Sequence, residues 1–436
     1  MKWTTVPFET LYSTQSRNGV YKPKEFHGRG CRVVNMGEMF GFDLISNQAM
    51  NLLELNEGEL AVNSLVDGDL LFGRRSLIEA GAGKCSLVVE PLSPLTFESS
   101  IIRVRLDKKL ANPRFIYYYF KSPQGRGFIS SIVSGTNVKG IRGSDLKNLP
   151  VAKPPKDSQD SIANCLSAYD DLIENNRRRM ALLEQSTRLL YEEWFVRLRF
   201  PGHEHLQMAD SSLGSIPKTW AVATLGDITT KLGSGATPRG GEASYQSEGI
   251  TLIRSQNVYD NRFEDDGLAH ISDTQADELA NVSVEPCDIL LNITGASVAR
   301  CCMVPKRHLP ARVNQHVMII RTDPALASPY FVLAAINSEG RKRQLLSYAR
   351  AGGTREALTK EMIANFQIVL PERELLQRFA VVAGDNHQQM EALANQNVAL
   401  RAARDLLLPR LMSGEIDLQR WQSCGRRGPF ARPSFA

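Results

Sequence analysis

The stretch KDSQDSIANCLSAYDDLIENNRRRMALLEQSTRLLYEEWFVRLR, residues 156–199, decides the architecture of this chain. Its inward positions recur at alternating spacings of four and three residues, which is typical of the a/d seam of a coiled coil. This first seam consists of Ile162, Leu166, Tyr169, Ile173, Asn176, Met180, Leu183, Thr187, Leu190 and Trp194. Adding 217 to each number gives a second seam with the same spacing, namely Phe379, Ala383, Asn386, Met390, Leu393, Asn397, Leu400, Arg404, Leu407 and Leu411. The chain is therefore predicted to carry two copies of one long helix.

The two helices are predicted to pair with each other as an antiparallel coiled coil. Only residues 200–211 separate the first helix from the next folded region, and at about 3.3 Å per residue they reach at most ~40 Å. The second helix then starts near the far end of the first and runs back along it. Polar layers that meet in this way fix the register of a coiled coil, whereas two unrelated amphipathic helices are the alternative interpretation. Facing residues sum to 573, which pairs Asn176 with Asn397, Thr187 with Asn386, and Tyr169 with Arg404.

Length and composition indicate a soluble protein with more than one core. The 436 residues are 42% hydrophobic and 23% charged, with a net charge of +5, and a chain of this length normally divides into two or more domains. No run of 18 apolar residues is present, and the start of the chain lacks the apolar core of a signal peptide, which favours a cytoplasmic location. The seven cysteines show no CxxC spacing and are predicted to be free thiols. The positive charge permits nucleic-acid binding without establishing it.

The repeat also covers the sequence that precedes each long helix. In both copies, β-branched segments predict strands, and a cap residue followed by proline predicts a helix start. The matched segments are 69–72 with 288–291, 101–107 with 317–323, and 112–115 with 328–331. The predicted fold class is therefore α/β (α+β), with two similar globular domains that are each followed by a long helix.

The repeat predicts six segments along the chain. Pro409 is predicted to end or bend the second helix near Leu408, because proline lacks a backbone N–H. The tail is rich in arginine and proline and is predicted to be poorly ordered. The segments are globular domain 1 (1–155), spacer helix 1 (156–199), a linker (200–212), globular domain 2 (213–370), spacer helix 2 (371–414) and the tail (415–436).

We find no catalytic or metal-binding motif. Gly81–Cys85 superficially resembles a phosphate-binding loop, but Ile78 and Cys85 stand where that loop needs Gly and Ser or Thr. Asn112–Phe115 lacks the second proline of the Asn-Pro-Pro-aromatic motif of amino-methyltransferases, so it is interpreted as a helix start. The histidines are scattered without the spacing of metal ligands. The prediction is no catalytic residue and no metal ligand in this chain.

The loops instead carry residues that suit DNA recognition. Arg and Lys bind guanine edges and phosphates, whereas Asn and Gln bind adenine. Each residue alone is also consistent with an ordinary surface position, but two domains with shared strands and different loops predict two different half-sites. The candidates in domain 1 are Arg17, Asn18, Tyr21, Lys22, Lys24, His27, Arg29, Arg74, Arg75, Lys84, Asn137, Lys139 and Arg142. Those in domain 2 are Ser234, Thr237, Arg239, Arg254, Gln256, Asn257, Asn292, Thr294, Arg300, Arg312, Asn314, Gln315, His316, Thr354 and Arg355.

The chain resembles the specificity subunits of type I restriction–modification enzymes. The resemblance rests on Trp194–Arg197 with Phe200–Glu204 after the first helix, and on Leu408–Ile416 after the second. Gly233–Pro238 and Ile253–Val258 resemble the start of a target-recognition domain of that family. Domain 1 departs from the family there, because Asn18-Gly19-Val20-Tyr21 stands in place of a Gly-Thr-Pro-like turn.

This resemblance implies two target-recognition domains joined by an antiparallel helical spacer. It implies a non-catalytic DNA-binding subunit that reads an asymmetric bipartite site in double-stranded DNA. It further implies methyltransferase (modification) and restriction (translocase) partner subunits, to which S-adenosylmethionine, ATP and Mg belong. The helices would then act as a ruler, since forty helical residues span about 60 Å.

Two other functions fit parts of the sequence. A fused DNA methyltransferase with its own recognition domain would need a complete cofactor loop, and binding of S-adenosylmethionine would reveal it. A coiled-coil protein-interaction scaffold would not bind DNA in a salt-sensitive, sequence-selective way.

Overall fold

The computed structural model describes residues 3–77, 81–351 and 356–418. The chain forms two compact units: unit 1 is Met1–Glu174 with Gln396–Ala436, and unit 2 is Asn175–Asn395. Each long helix has residues in both units. The predicted domain boundaries instead placed each whole helix in a segment of its own after its globular domain. Those boundaries stay a prediction.

Unit 1 is built on a five-stranded sheet with the order β2-β10-β6-β8-β4 and a three-stranded sheet with the order β5-β3-β9. Two-stranded pairs β1-β12 and β7-β11 complete it. Its strands are β1 Thr5–Pro7, β2 Tyr12–Asn18, β3 His27–Val34, β4 Leu44–Ile45, β5 Asn51–Leu53, β6 Leu70–Gly73, β7 Arg75–Ser76, β8 Cys85–Val88, β9 Leu95–Phe97, β10 Ile101–Leu106, β11 Lys139–Gly140 and β12 Pro150–Ala152. Its helices are α1 Met36–Gly41, α2 Glu57–Asn63, α3 Pro113–Lys121, α4 Pro123–Ile132 and α5 Gly143–Leu146, and α6 Lys156–Tyr191 follows them.

Unit 2 contains two four-stranded sheets with the orders β16-β25-β22-β23 and β20-β17-β24-β21, besides the pairs β13-β14, β15-β26 and β18-β19. Its strands are β13 Met208–Ser211, β14 Gly214–Pro217, β15 Ala221–Thr224, β16 Thr229–Ser234, β17 Ile250–Ile253, β18 Val258–Tyr259, β19 Arg262–Phe263, β20 Ala269–Ile271, β21 Ser283–Val284, β22 Ile289–Asn292, β23 Cys301–Met303, β24 Ala311–Val313, β25 Val317–Thr322 and β26 Gln367–Leu370. Its helices are α7 Asp273–Glu278, α8 Pro329–Asn337, α9 Glu339–Ala351 and α10 Lys360–Ala364, and α11 Arg373–Met412 closes the series.

The two units repeat one sheet topology. Strand β10 pairs antiparallel with β2 and β6, as β25 does with β16 and β22. The parallel pair β3-β9 corresponds to β17-β24. The predicted fold class, two similar mixed domains with long helices, is therefore confirmed.

A buried ion pair anchors the central strands of each unit. Asp69 and Asp288 are fully buried. The Nε and Nη2 atoms of Arg105 donate to the two carboxylate oxygens of Asp69 at 2.7 Å each. The same two atoms of Arg321 donate to Asp288 at 2.8 Å each. These hydrogen bonds raise the pKa of both guanidinium groups. Each pair joins β10 or β25 to the turn before the neighbouring strand.

The helix-start interpretation of Asn112–Phe115 is confirmed. The side-chain oxygen of Asn112 accepts hydrogen bonds from the backbone N–H groups of Arg114 at 2.9 Å and Phe115 at 3.3 Å. Pro113 occupies the first turn of α3, where a missing N–H costs nothing. The asparagine is thus occupied as a helix cap.

The long helices pair antiparallel within each unit. In unit 1, Ile162 and Leu166 share a core with Leu408 and Leu411. In unit 2, the ring centroid of Trp194 lies 6.5 Å from that of Phe379, and Asn386 Nδ2 donates to Thr187 Oγ1 at 3.1 Å. Residues early in α6 therefore meet residues late in α11, and the reverse. All twenty predicted seam positions are buried or half-buried.

Two details of the helix prediction are corrected. Helix α11 continues through Pro409 to Met412, so the missing N–H of Pro409 removes one backbone hydrogen bond without ending the helix. Arg404 lies in the seam as predicted, and its guanidinium pairs with the carboxylate of Asp170. Regular α-helix ends at Tyr191, and a π-helical turn, Glu192–Val196, follows it.

Two other predicted segments differ in extent. The predicted linker 200–212 contains strand β13, which pairs with β14. Residues 419–436 of the predicted tail lie outside the described residues. Within the described ranges, none of the helices combines the length and apolar character needed to cross a bilayer.

Candidate nucleic-acid interface

A glycine turn ends the first strand of the main sheet in both units. The Gly19 N–H donates to Ile101 O at 3.1 Å, and the Gly235 N–H donates to Val317 O at 3.0 Å. A Cβ on Gly19 would lie 2.2 Å from Phe97 O, and a Cβ on Gly235 would lie 1.9 Å from Val313 O. Only glycine fits at either position, so the two turns make equivalent backbone contacts. The sequence had suggested that domain 1 departs from the family's glycine-turn pattern here.

A second loop, at the tip of the β6-β8 or β22-β23 hairpin, contacts the loop that precedes β10 or β25. The backbone N–H of Arg74 donates to Ser100 O at 2.7 Å, and that of Ile293 donates to His316 O at 3.0 Å. Arg75 then pairs with Gly140 in unit 1, as Thr294 does with Ala357 in unit 2. These contacts make residues 74, 75 and 100 equivalent to 293, 294 and 316.

Four segments therefore converge at the same end of the sheet in each unit. We call these areas loop surface 1 (residues 17–21, 74–75, 98–100 and 139–142) and loop surface 2 (residues 234–237, 293–296, 314–316 and 356–357). The structure brings together in loop surface 1 the predicted residues Arg17, Asn18, Tyr21, Arg74, Arg75, Lys139 and Arg142. It brings together in loop surface 2 the predicted residues Ser234, Thr237, Thr294, Asn314, Gln315 and His316.

Loop surface 1 presents uncompensated positive charge. Arg75 and Arg142 are exposed, Arg74 and Lys139 are half-buried, and Tyr21 is 81% exposed. Within the part of the chain that the structure describes, no carboxylate lies within ion-pair distance of these four cations. Such a surface attracts phosphate and can donate to guanine edges.

Three other candidates of unit 1 have partners inside the unit. Lys22 pairs with Glu59 at 2.6 Å, and Arg29 pairs with Glu54 at 2.5 Å. Lys84 Nζ lies 3.6 Å from a carboxylate oxygen of Asp43 and donates to Phe40 O at 3.0 Å. These three charges are compensated. Asn137 is exposed in the loop before β11.

Loop surface 2 contains no Lys or Arg, and a chain of side-chain hydrogen bonds orders it. Its one carboxylate, Glu356, pairs with Arg350 at 3.3 Å. Thr237 Oγ1 donates to Gln315 Oε1. Gln315 Nε2 lies 3.0 Å from His316 Nε2, and His316 Nδ1 lies 2.7 Å from Thr294 Oγ1. The His316 N–H donates to Asn314 Oδ1 at 3.1 Å. Residues from three loops are thereby held in one arrangement.

Four further candidates of unit 2 lie on neighbouring loops. Arg254 Nη2 and Gln256 Nε2 both donate to Gly267 O, at 2.5 and 3.0 Å. The side chain of Arg239 is 89% exposed, with a carboxylate oxygen of Glu278 3.8 Å away. The guanidinium of Arg300 stacks on the ring of Tyr259 at 4.5 Å.

Two predicted contact residues are corrected, because the structure buries them completely. Asn257 donates to Glu264 O at 3.0 Å and accepts from the Arg254 N–H at 3.1 Å. Asn292 donates to Ser255 O at 2.8 Å. Both amides form hydrogen bonds with backbone groups of loops and are not exposed to a ligand. Thr354 and Arg355 lie outside the described residues.

The sequence interpretation missed Ser99 and Ser100. They occupy in unit 1 the places that Gln315 and His316 occupy in unit 2, because Ser100 O and His316 O accept equivalent backbone bonds. The signal was available: adding 216 to 99 and 100 gives 315 and 316. Both positions are serine, a residue type that is common in ordinary turns.

Comparison with known proteins finds similar sequences in one protein family. The model of the type I restriction modification DNA specificity domain matches residues 41–185. The chain is 25% identical over 372 residues to the type I restriction enzyme MjaIX specificity subunit of Methanocaldococcus jannaschii, which covers 80% of this chain and 83% of that protein. Over most of its length, the chain is therefore similar to type I restriction–modification specificity subunits.

Two further comparisons agree with this family. The EcoKI specificity subunit of Escherichia coli K12 is 33% identical over 172 residues, which is 38% of this chain and 36% of that protein. The crystal structure of the type I restriction–modification S subunit from M. genitalium superposes with a TM-score of 0.57 at 17% identity, covering 94% of this chain and 96% of that one. The latter likeness concerns the fold alone.

Proposed function

We infer that this chain is the non-catalytic DNA-specificity subunit of a type I restriction–modification complex. It reads an asymmetric bipartite site in double-stranded DNA, and it directs methylation and restriction by partner subunits. The family match and the named relatives support this role.

The observation that carries the proposal is the pair of loop surfaces. Both have the glycine turn and the hairpin-tip contacts described above, but the side chains differ: Arg75 corresponds to Thr294, and Ser99 to Gln315. A shared backbone with different donors and acceptors reads different base pairs. One chain with two such surfaces therefore reads two unlike half-sites.

The partners follow from the proposed role. The chain joins modification (methyltransferase) subunits and restriction (translocase) subunits in the cytoplasm. S-adenosylmethionine, ATP and Mg bind to those partners. This division of labour leaves recognition to this chain.

Methylation mapping tests the proposal directly. The chain is co-expressed with a type I methyltransferase (modification) subunit with which it co-purifies, in a host without other DNA modification. The genomic DNA is then sequenced for modified adenines. The expected result is one asymmetric split motif that disappears when this chain is omitted. Soluble, co-purifying subunits that produce no new methylation would contradict the role.

An exchange experiment separates the two half-sites. Replacing residues 1–155 with the matching region of another specificity subunit is expected to change one half-site and to leave the other intact. A change in both half-sites would contradict two independent reading surfaces. The unmodified chain, mapped in the same host, is the control.

A further inference from the structure

Gln315 is an exposed side chain that is held in place from two sides. An exposed glutamine normally samples many rotamers, and ordering it costs conformational entropy. Here Thr237 holds the amide oxygen and His316 holds the amide nitrogen. One solvent-facing amide is thus bound both by a separate loop, through Thr237, and by the next residue of its own loop, His316.

The direction of each hydrogen bond follows from chemistry. The Gln315 amide nitrogen can only donate, so His316 Nε2 accepts at 3.0 Å. The ring proton of His316 then lies on Nδ1, where it donates to Thr294 Oγ1 at 2.7 Å. The Thr237 hydroxyl donates to Gln315 Oε1.

These hydrogen bonds use only half of the hydrogen-bonding capacity of the Gln315 amide. Its amide has two N–H groups and two lone pairs on the oxygen, and one of each is taken within the described residues. One N–H and one lone pair therefore stay available toward solvent, in a fixed orientation. Adenine presents the complementary pair in the major groove, an N7 acceptor and an N6–H donor.

We propose that Gln315 reads an adenine in the half-site bound by unit 2, and that Thr237 and His316 are the residues that position it. The inference rests on the proposed function, since it names the base that one surface of a DNA-specificity subunit recognises. The ordering of the amide before binding removes an entropy cost that a free glutamine would meet on contact with DNA.

Unit 1 lacks this device. The equivalent residue is Ser99, whose single hydroxyl cannot form the bidentate contact, and Arg75 stands where unit 2 has Thr294. Reading by Gln315 therefore applies to one half-site only. This restriction makes the inference open to a sharp test.

The test uses the purified complex of the full chain with its modification subunit, and duplexes that carry the mapped motif. Each base pair of the motif is replaced in turn, and dissociation constants are measured for the wild type and for Gln315→Ala. The wild type is expected to lose about 5- to 150-fold in affinity when one particular A·T pair is replaced. Gln315→Ala is expected to bind the original and that replaced duplex equally, and to keep discrimination at every other pair.

Two further variants distinguish reading from general weakening. Gln388→Ala, the same change at an exposed glutamine on helix α11 in unit 2, is expected to keep discrimination at that A·T pair. Thr237→Val removes the hydroxyl at nearly constant shape and is expected to reduce discrimination at that same pair, by less than Gln315→Ala does.

Each result decides the matter. Full discrimination by Gln315→Ala, loss at a G·C pair, loss in both half-sites, or an effect of Thr237→Val at a different pair would each overturn the inference while leaving the proposed function intact. A wild-type complex that yields no motif at all would contradict the proposed function, and this inference with it.

Discussion

Loop surfaces 1 and 2 share their backbone contacts but differ in the charge of their side chains. The glycine turn at Gly19 or Gly235 and the buried Arg–Asp pair recur in both units. Loop surface 1 then carries cations without carboxylate partners among the described residues, whereas loop surface 2 contains no Lys or Arg and is ordered by a chain of hydrogen bonds. The comparison shows that buried charge and close backbone contacts hold the scaffold constant, while the side chains that reach solvent are free to differ.

The largest expected effect comes from breaking the shared scaffold at the buried ion pair. Asp69→Ala in unit 1 and Asp288→Ala in unit 2 each leave a guanidinium without its buried partner. Each variant is expected to lower the free energy of unfolding of its own unit by about 3–5 kcal/mol. Hydrogen exchange measured separately on β10 and β25 of the full chain reports the two units independently.

The control for this prediction is Asp67→Ala. Asp67 pairs with Lys108 at 2.9 Å, but both side chains are more than half exposed. Its loss is expected to cost at most about 1 kcal/mol. Similar losses of stability from Asp69→Ala in unit 1 and from Asp288→Ala in unit 2 would support the equivalence of the two ion pairs. A loss from only one of the two variants would contradict it.

A smaller effect is expected from the glycine turns. In Gly19→Ala and Gly235→Ala, the added methyl group collides with a backbone oxygen that cannot move away. Each variant is expected to lose about 2–3 kcal/mol of stability in its own unit, measured by the same hydrogen exchange. Gly233→Ala is the matched control, because a Cβ there meets nothing within 4 Å. A tolerated Gly235→Ala would show that the turn in unit 2 is not fixed as described.

An exchange of equivalent side chains tests the difference between the surfaces. Arg75→Thr gives unit 1 the residue that unit 2 carries, and it removes one exposed cation. The slope of log K against log salt for DNA binding is expected to fall in magnitude by about 1. Thr294→Arg is expected to raise it by a similar amount. Arg29→Thr is the control, since Glu54 already compensates that charge; an equal change in the control would assign the effect to net charge alone.

The smallest effect concerns pH and an ion pair at the side of unit 1. Burial would raise the pKa of Asp43, but Lys121 and Lys84 outweigh it and hold that pKa below its usual value. A lowered carboxylate pKa stabilises the fold above the unfolded value of about 3.9, and this contribution disappears as pH falls through the folded value. The side chain is 44% exposed, so solvent screening limits the contribution to under about 1 kcal/mol.

Asp43→Asn tests this pH dependence. The variant is expected to be slightly less stable than the wild type at pH 7, and the difference is expected to shrink below about pH 4. Urea unfolding at both pH values, followed by hydrogen exchange in unit 1, measures it. A difference that grows toward acid pH would contradict the assignment.

The sequence by itself determined the architecture. The heptad seams from Ile162 and Phe379 predicted two long helices and their antiparallel register, and the 217-residue repeat predicted two similar mixed domains. Periodicity and repetition are properties of local sequence, because burial of one helix face or one strand face imposes a regular spacing on apolar residues. The cap at Asn112 belongs to the same class, since a cap and its helix are neighbours in the chain.

Only the tertiary structure decided which loop residues face solvent and which support the fold. Asn257 and Asn292 have the same side-chain chemistry as a base-reading amide, yet both are buried and bind loop backbone. Gln315 stays exposed and is ordered by Thr237, 78 residues away along the chain. Loops have no period, and a polar side chain is used by whichever unpaired backbone or side-chain group the fold brings beside it. That neighbour comes from distant sequence, so folding, and not residue type, separates the reading residues from the structural ones.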